Sequence, residues 1–300
     1  MKISVIIPNY NNASFIEECI YSVMNQTHQP HECIVIDNGS TDGSFELLQE
    51  LQNKYSFKLI RWGKNKGVSA ARNEGLKRAS GDFVAFLDAD DYWLGKYLES
   101  QVKFLEEHQT DAVFSNYFKE IEDVEGEPEI PYEYELTLDK TLREDRLSFC
   151  AIVFNREKLQ EIGGLNTRFS FGEDGLLMFE WLLNGFTIGF NDEAHVAYRI
   201  HGNNSTAKMT SKVFSQNLEI LAHKIDLLKA NLNYDELERK EYRKAISSRL
   251  NTIRWMARDL KSWKNLKAVY AKGFDWMGIE WWYHQRKEYF SDVKNYMLKR

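Results

Sequence analysis

Four strand-length apolar runs, Ile3–Ile7, Cys33–Ile36, Lys58–Trp62 and Phe83–Leu87, constrain this chain more than any other feature. Segments of helical period separate them. Ser14–Met24 gathers Phe15, Cys19, Ile20 and Val23 on one face, a second helix runs from the Gly39–Gly43 turn to Gln52, and a third covers Val68–Ala79. Strands joined by helices of about ten residues predict a parallel, Rossmann-like sheet in an α/β fold, flanked by helices. In such sheets ligands bind beyond the carboxyl ends of the strands. Asp37 and Asp88 directly follow the second and fourth runs, so both are expected to face one crevice.

A helix at Lys96–Glu107 and a strand at Ala112–Tyr117 continue the alternation, which then breaks. Lys119 to Asp145 is rich in Glu and Asp, holds Pro128 and Pro131, and has no steady period. A segment this long inside a domain reads as a functional flap or a solvated spacer. Cys150–Asn155 is the next strand, Gly172-Glu173-Asp174 opens a helix to Leu183, and His195–Ile200 is the last strand. From Ser211 onward the pattern is helical, with breaks expected near Asn231–Asn233, Lys261–Lys264 and Gly273. The expected division is an α/β region over 1–210, with halves 1–115 and 116–210, and a helical extension over 211–300.

With 43% apolar residues, a sizeable core is available. Cys19, Cys33 and Cys150 are odd in number, far apart and mostly within apolar runs, which suits buried thiols rather than a disulfide framework or a zinc site. The first apolar run stops at Pro8, too short for a signal peptide, and no stretch approaches the roughly 20 apolar residues of a membrane span. A cytoplasmic location is expected, either free or on the inner face of the cytoplasmic membrane.

Asp88-Ala89-Asp90-Asp91 sets three carboxylates directly after an apolar strand. Half-buried like charges raise one another's pKa and destabilise the fold unless a cation neutralises them. A hard divalent ion with oxygen ligands is the natural partner, and helix capping is the plainer alternative. Glu173-Asp174 has the same two readings, since acids before an apolar helix also favour its dipole.

Pro8-Asn9-Tyr10-Asn11, Ile36-Asp37-Asn38-Gly39-Ser40-Thr41-Asp42, Gly67-Val68-Ser69-Ala70-Ala71-Arg72-Asn73-Glu74-Gly75 and Phe86-Leu87-Asp88-Ala89-Asp90-Asp91 resemble the family 2 inverting glycosyltransferases of the GT-A fold. The likeness continues more loosely through Gly172-Glu173-Asp174 and Tyr198-Arg199-Ile200-His201, covering about the first 205 residues. It implies a donor site with Pro8, Tyr10, Asp37, Gly67, Arg72, Asp88, Ala89, Asp90 and His201. There Asp37 accepts the imide N–H of a uracil or thymine, Gly67 lets the backbone approach the donor, and Arg72 meets the diphosphate. Asp90, with Asp88 and His201, meets Mn²⁺ or Mg²⁺, while Asp91 is a candidate cap for the segment beginning at Tyr92. The resemblance makes Asp174 the catalytic base, with Glu173 orienting the acceptor. The family often carries a second Asp where this chain has Asn38, which blurs the preferred base and sugar.

The resemblance thus implies transfer of a sugar from a nucleoside-diphosphate sugar, a UDP-sugar above all, to a hydroxyl of a glycan or lipid-linked glycan in surface polysaccharide synthesis. Two other functions compete with it. A nucleotidyltransferase acting on sugar phosphates usually has a glycine-rich basic loop after its first strand, and Pro8-Asn9-Tyr10-Asn11-Asn12 is not one. A non-catalytic nucleotide-sugar-binding protein would be signalled by loss of the acids at 88, 90 or 174, and all are present.

Net charge is −6, yet residues 236–300 hold sixteen Lys/Arg against eight Asp/Glu and five of the eight tryptophans. Basic residues with interfacial aromatics suit peripheral contact with an anionic membrane. A helical bundle packed on the acidic catalytic region, or a homodimer interface, is the alternative. Nucleic-acid binding is disfavoured, since no recognisable motif accompanies the charge.

Overall fold

A computed structural model describes residues 1–121, 136–143, 148–202, 210–232, 240–260 and 262–297. The chain divides into two compact units, Met1–Leu136 with Arg146–Asn204, and Thr137–Asp145 with Ser205–Arg300.

The first unit is built on an eight-stranded mixed sheet of order β3-β2-β1-β4-β7-β6-β8-β5. Strands β1 (Ile3–Asn9), β2 (Glu32–Asp37), β3 (Lys58–Arg61) and β4 (Phe83–Phe86) run parallel, with β1 between β2 and β4. β5 (Tyr92–Trp93) and β7 (Ile152–Asn155) are antiparallel to their neighbours, and β6 (Ala112–Ile121) pairs in parallel with β8 (Ile188–Ile200). Every residue of β1 is buried, as a strand covered on both faces requires, so its sequence is a run rather than an alternation. β3 lies at the sheet edge with Lys58 and Arg61 exposed, charges that discourage pairing with another chain.

Helix α1 (Ile16–Met24) buries Ile16, Cys19, Ile20 and Val23, a helical stripe laid against the sheet. α2 is Ser44–Leu51, α3 Val68–Arg78, α4 Tyr97–His108, α6 Arg156–Glu161 and α7 Glu173–Leu183. α3 approaches β1 closely because Gly75 has no side chain: an added Cβ would lie 2.3 Å from Ile6 Cγ2. That approach carries the preceding turn of α3, with Arg72, toward the carboxyl end of the sheet. The three cysteines are buried and free.

Glu32 ties the opposite, amino-terminal end of the sheet. Its Oε1 accepts from Ser4 Oγ at 2.8 Å, Ser80 N at 2.7 Å and Ser80 Oγ at 2.6 Å, and its Oε2 pairs with Lys58 Nζ at 2.6 Å. Burial works against the charge, and the hydrogen bonds from Lys58, Ser80 and Ser4 outweigh it, holding the carboxyl down at about 2. A depressed folded-state pKa means this stabilisation is full above the ordinary glutamate value of 4.5 and fades as pH falls toward 2. Glu32→Gln should therefore cost about 1–2 kcal/mol at pH 7, the worth of charge-assisted hydrogen bonds, with the gap narrowing at pH 3. Urea unfolding at both pH values checks this; equal midpoints at pH 7 would contradict it.

The second unit holds α5 (Leu138–Arg143), α8 (Ser211–Asn231), α9 (Lys240–Asp259) and α10 (Trp263–Met297). Buried Lys224 donates to Thr141 O at 2.7 Å, and Arg249 reaches Arg143 O at 3.4 Å and Asn217 Oδ1 at 2.7 Å. Two cations thus meet the last carbonyls of α5, where the helix dipole favours positive charge. Arg254 and Arg258 pair with Glu288, and Arg258 also pairs with Asp292. Part of the basic excess of this region is therefore consumed internally.

Several expectations change. The segment from Lys119 to Asp145 is regular at both ends, because β6 extends to Ile121 beside β8 and Leu138–Arg143 is helical. The flap itself, 122–135, lies outside the described residues, as does the stretch 233–239 around the expected break at Asn231–Asn233. Residues 137–145 group with the C-terminal helices in the second unit, and the first unit runs to Asn204. No break occurs at Gly273: α10 runs through it, since one buried glycine costs a helix only about 1 kcal/mol. Among the described residues no helix is long and apolar enough to cross a membrane.

Candidate active site

The sheet order reverses at β1, with β2 on one side and β4 on the other. Crevices in α/β sheets open at such a point, beyond the strand carboxyl ends. Pro8 is buried within β1 opposite Ile36, and Asn9 ends the strand opposite Asp37. Tyr10, just beyond, is 43% exposed. Asp37 is fully buried; its Oδ1 accepts from Asn9 Nδ2 at 3.0 Å and its Oδ2 from Ser40 N at 3.3 Å. Ser40 Oγ accepts from Asn9 Nδ2 and Asn11 N, and Asn11 Oδ1 accepts from Thr41 N. The loops after β1 and β2 are thereby laced together by short polar side chains. Asn9 Oδ1 is buried without a protein partner, an acceptor aimed into this seam.

Gly39 and Gly67 hold the next loop. At φ +78°, Gly39 lies so near Lys64 that a Cβ would fall 2.7 Å from its Cα. Gly67, at φ 94° and ψ 154°, takes a backbone conformation essentially confined to glycine, with open space where a side chain would stand. It delivers the chain into α3.

Arg72 is the centre of the site's electrostatics. It is 4% exposed, and its Nη2 meets Asp88 Oδ1 at 2.6 Å while its Nη1 meets Glu173 Oε1 at 3.2 Å. The guanidinium lies 4.6 Å from the centre of the Phe149 ring. Burial opposes its charge, but Asp88 and Glu173 outweigh that and raise its pKa further. One arginine thus joins the acidic loop after β4 to the first turn of α7, which also carries Asp174. Asp174 is half-buried, and its Oδ1 accepts from Gly175 N at 2.8 Å.

The acids of the 88–91 loop separate by environment. Ala89 is buried, and the Asp88 backbone is held from below, its N–H donating to Cys150 Sγ and its carbonyl accepting from Cys19 Sγ. Asp90 Oδ2 faces His201 Nε2 at 3.2 Å, and the His201 ring stacks on Phe15 at 4.8 Å. Burial, then the Asp88 carboxylate, push the Asp90 carboxyl above its ordinary value. Asp91 is 1% exposed and accepts from Arg199 N at 2.9 Å and Cys150 Sγ at 3.1 Å. It joins the loop to β8 rather than capping the segment at Tyr92.

Asp88, Asp91 and Cys150 bring ligand atoms within 4.8 Å of one another, but they make a poor site for a hard ion. Burial, reinforced by Asp88 and Asp91, pushes the Cys150 thiol well up, so it stays a neutral donor. Asp90 and His201 fit better. Neighbouring ligands of one ion at about 2.1 Å stand about 3 Å apart, close to the Oδ2–Nε2 separation; the carboxylate oxygen suits either Mn²⁺ or Mg²⁺, and the imidazole, a softer ligand, favours Mn²⁺ of the two.

Sequence reasoning missed Arg199 and the partners of Asn38. Arg199 Nη1 donates to Asp90 O, its guanidinium pairs with Glu18 and Glu120, and it lies over the Tyr92 ring. Its place in the Tyr198–His201 motif is the only signal of this in the sequence.

The fold and these motifs have known relatives. The model of the family described as "Glycosyl transferase family 2" matches residues 4–163. The putative teichuronic acid biosynthesis glycosyltransferase TuaG of Bacillus subtilis (strain 168) is 32% identical over 205 residues, 67% of this chain and 80% of that protein. The UDP-Glc:alpha-D-GlcNAc-diphosphoundecaprenol beta-1,3-glucosyltransferase WfaP of Escherichia coli is 28% identical over 221 residues, 71% of this chain and 83% of its own. Among solved structures, S. aureus TarS 1-349 in complex with UDP superposes with a TM-score of 0.64 at 24% identity, over 86% of this chain and 73% of that one. Mannosyltransferase PcManGT from Pyrobaculum calidifontis, in complex with GDP-Man and Mn2+, gives 0.59 at 18% identity, over 100% and 88%. The fold is of the GT-A type, with a C-terminal helical extension. The chain belongs to glycosyl transferase family 2 and is a glycosyltransferase.

Proposed function

We propose that this enzyme moves a sugar from a UDP-sugar to a hydroxyl of a lipid-linked glycan in the assembly of a surface polysaccharide, inverting the anomeric centre. The observation that carries the reading is the Arg72 bridge, which sets the acid loop after β4 and the helix bearing Glu173-Asp174 at one crevice. Asp37, at the end of β2, is the group that accepts the imide N–H of uracil; Asn9 and Ser40 hold its carboxylate in place. Asp90 and His201, with Asp88 alongside, are the residues that would hold Mn²⁺ or Mg²⁺, which when bound neutralises charge on the diphosphate leaving group. Arg72 fixes the Asp88 carboxylate. Asp174 takes the proton of the acceptor hydroxyl as that oxygen attacks from the face opposite the leaving group. WfaP, whose name specifies a UDP-glucose donor and a diphosphoundecaprenol acceptor, supports the donor and acceptor classes. A lipid-linked acceptor implies work at the cytoplasmic membrane surface.

Thermal-shift titration with UDP, GDP and dTDP, with and without Mn²⁺, tests the donor site. UDP should stabilise the protein most, only with the metal, and Asp37→Ala should abolish the preference. Equal, metal-independent stabilisation by all three would overturn the assignment.

A further inference from the structure

Asn38 stands where the family often has an acid, and its side chain is committed. It is 3% exposed, and its amide crosses from the end of β2 to the loop that precedes α3. Nδ2 donates to Asn65 Oδ1 and Gly67 O, both at 3.2 Å, and Oδ1 accepts from Lys66 N at 2.8 Å. A backbone N–H can only donate and a carbonyl can only accept, so these partners fix which way the amide points. Asn65 Oδ1 also accepts from Gly67 N at 2.8 Å, which closes the loop on itself.

The loop so held borders Asp37. Trp62 N donates to Asp37 O at 2.9 Å, and Lys66 Nζ lies 4.2 Å from the centre of the Trp62 ring. Backbone contact between Gly39 and Lys64 leaves this seam no slack. A base held by Asp37 would therefore have residues 62–67 as its neighbouring wall, and the side chain pinning that wall is Asn38.

We infer that Asn38 is a specificity-determining positioning residue, which sets the width of the base slot by pinning residues 65–67 against the carboxyl end of β2. The inference rests on the nucleotide-sugar reading for its consequence, but its geometric part does not. An aspartate at this position keeps an acceptor for Lys66 N and turns an acceptor toward Asn65 Oδ1 and Gly67 O. Two attractions become two repulsions, and the wall moves off.

Two measurements separate the parts. Hydrogen exchange in the protein without nucleotide should accelerate at the Lys66 and Gly67 amides by about tenfold or more in Asn38→Ala. Unchanged protection would overturn the pinning. Steady-state transfer by Asn38→Asp should show a donor KM raised about tenfold and weakened discrimination between UDP- and dTDP-sugars, with kcat at saturating donor within about twofold. Accelerated exchange with base preference and KM unchanged would overturn the specificity role. If the wild-type protein binds no nucleotide, the proposed function fails while the exchange result still stands.

Discussion

Asp174→Asn should fold and bind donor as the wild type does while transfer falls by about 10²–10⁴-fold, the usual contribution of a general base. The amide keeps an oxygen for the Gly175 N–H, so the first turn of α7 is not disturbed. What it lacks is a basic oxygen for the acceptor proton. Glu173→Gln should behave differently. Glu173 is 8% exposed and its Oε1 faces Arg72 Nη1, so its change acts through Arg72, lowering thermal stability and donor affinity. Parallel kcat, KM and melting measurements on both variants separate the roles. Retained turnover in Asp174→Asn would remove Asp174 as the base.

Arg72→Met carries the second large effect. Its removal takes the shared cation from Asp88, whose side chain is 31% exposed, and leaves the buried Glu173 carboxylate without its charged partner. Breaking a buried ion pair from one side costs about 3–5 kcal/mol, because the remaining charge stays buried. For a unit of this size that corresponds to roughly 10 °C in Tm. Activity should fall more than a hundredfold, since the acid loop and α7 lose their common anchor. Arg72→Lys should lose less, because an ammonium can meet one carboxylate but not span both as the planar guanidinium does. A melting temperature unchanged in Arg72→Met would refute the bridge.

The legibility of this chain follows the range of the interactions. β1, β2 and β4 are apolar runs ended by polar residues, so their positions and their common crevice can be read from spacing. β5 could not be read: Tyr92–Trp93 is a strand only because β8 lies beside it. α5 and α6 are six residues each, too short for a period to register. Asp37 and Asp88 can be picked out because an acid just past an apolar strand is locally unusual. The Arg72–Glu173 pair spans 101 residues, and no local pattern encodes which carboxylate an arginine will meet. Asn38 is legible only as a departure from a motif; its partners at 65–67 emerge only in three dimensions.

The most direct test is transfer itself. Purified protein, Mn²⁺ and a UDP-α-linked sugar, with an undecaprenyl-diphosphate-linked glycan as acceptor, should release UDP only when acceptor and metal are both present. The proton spectrum of the product should show a β-linkage. An α-linked product, or UDP release indifferent to metal and to Asp174→Asn, would contradict metal-assisted inverting transfer with Asp174 as its base.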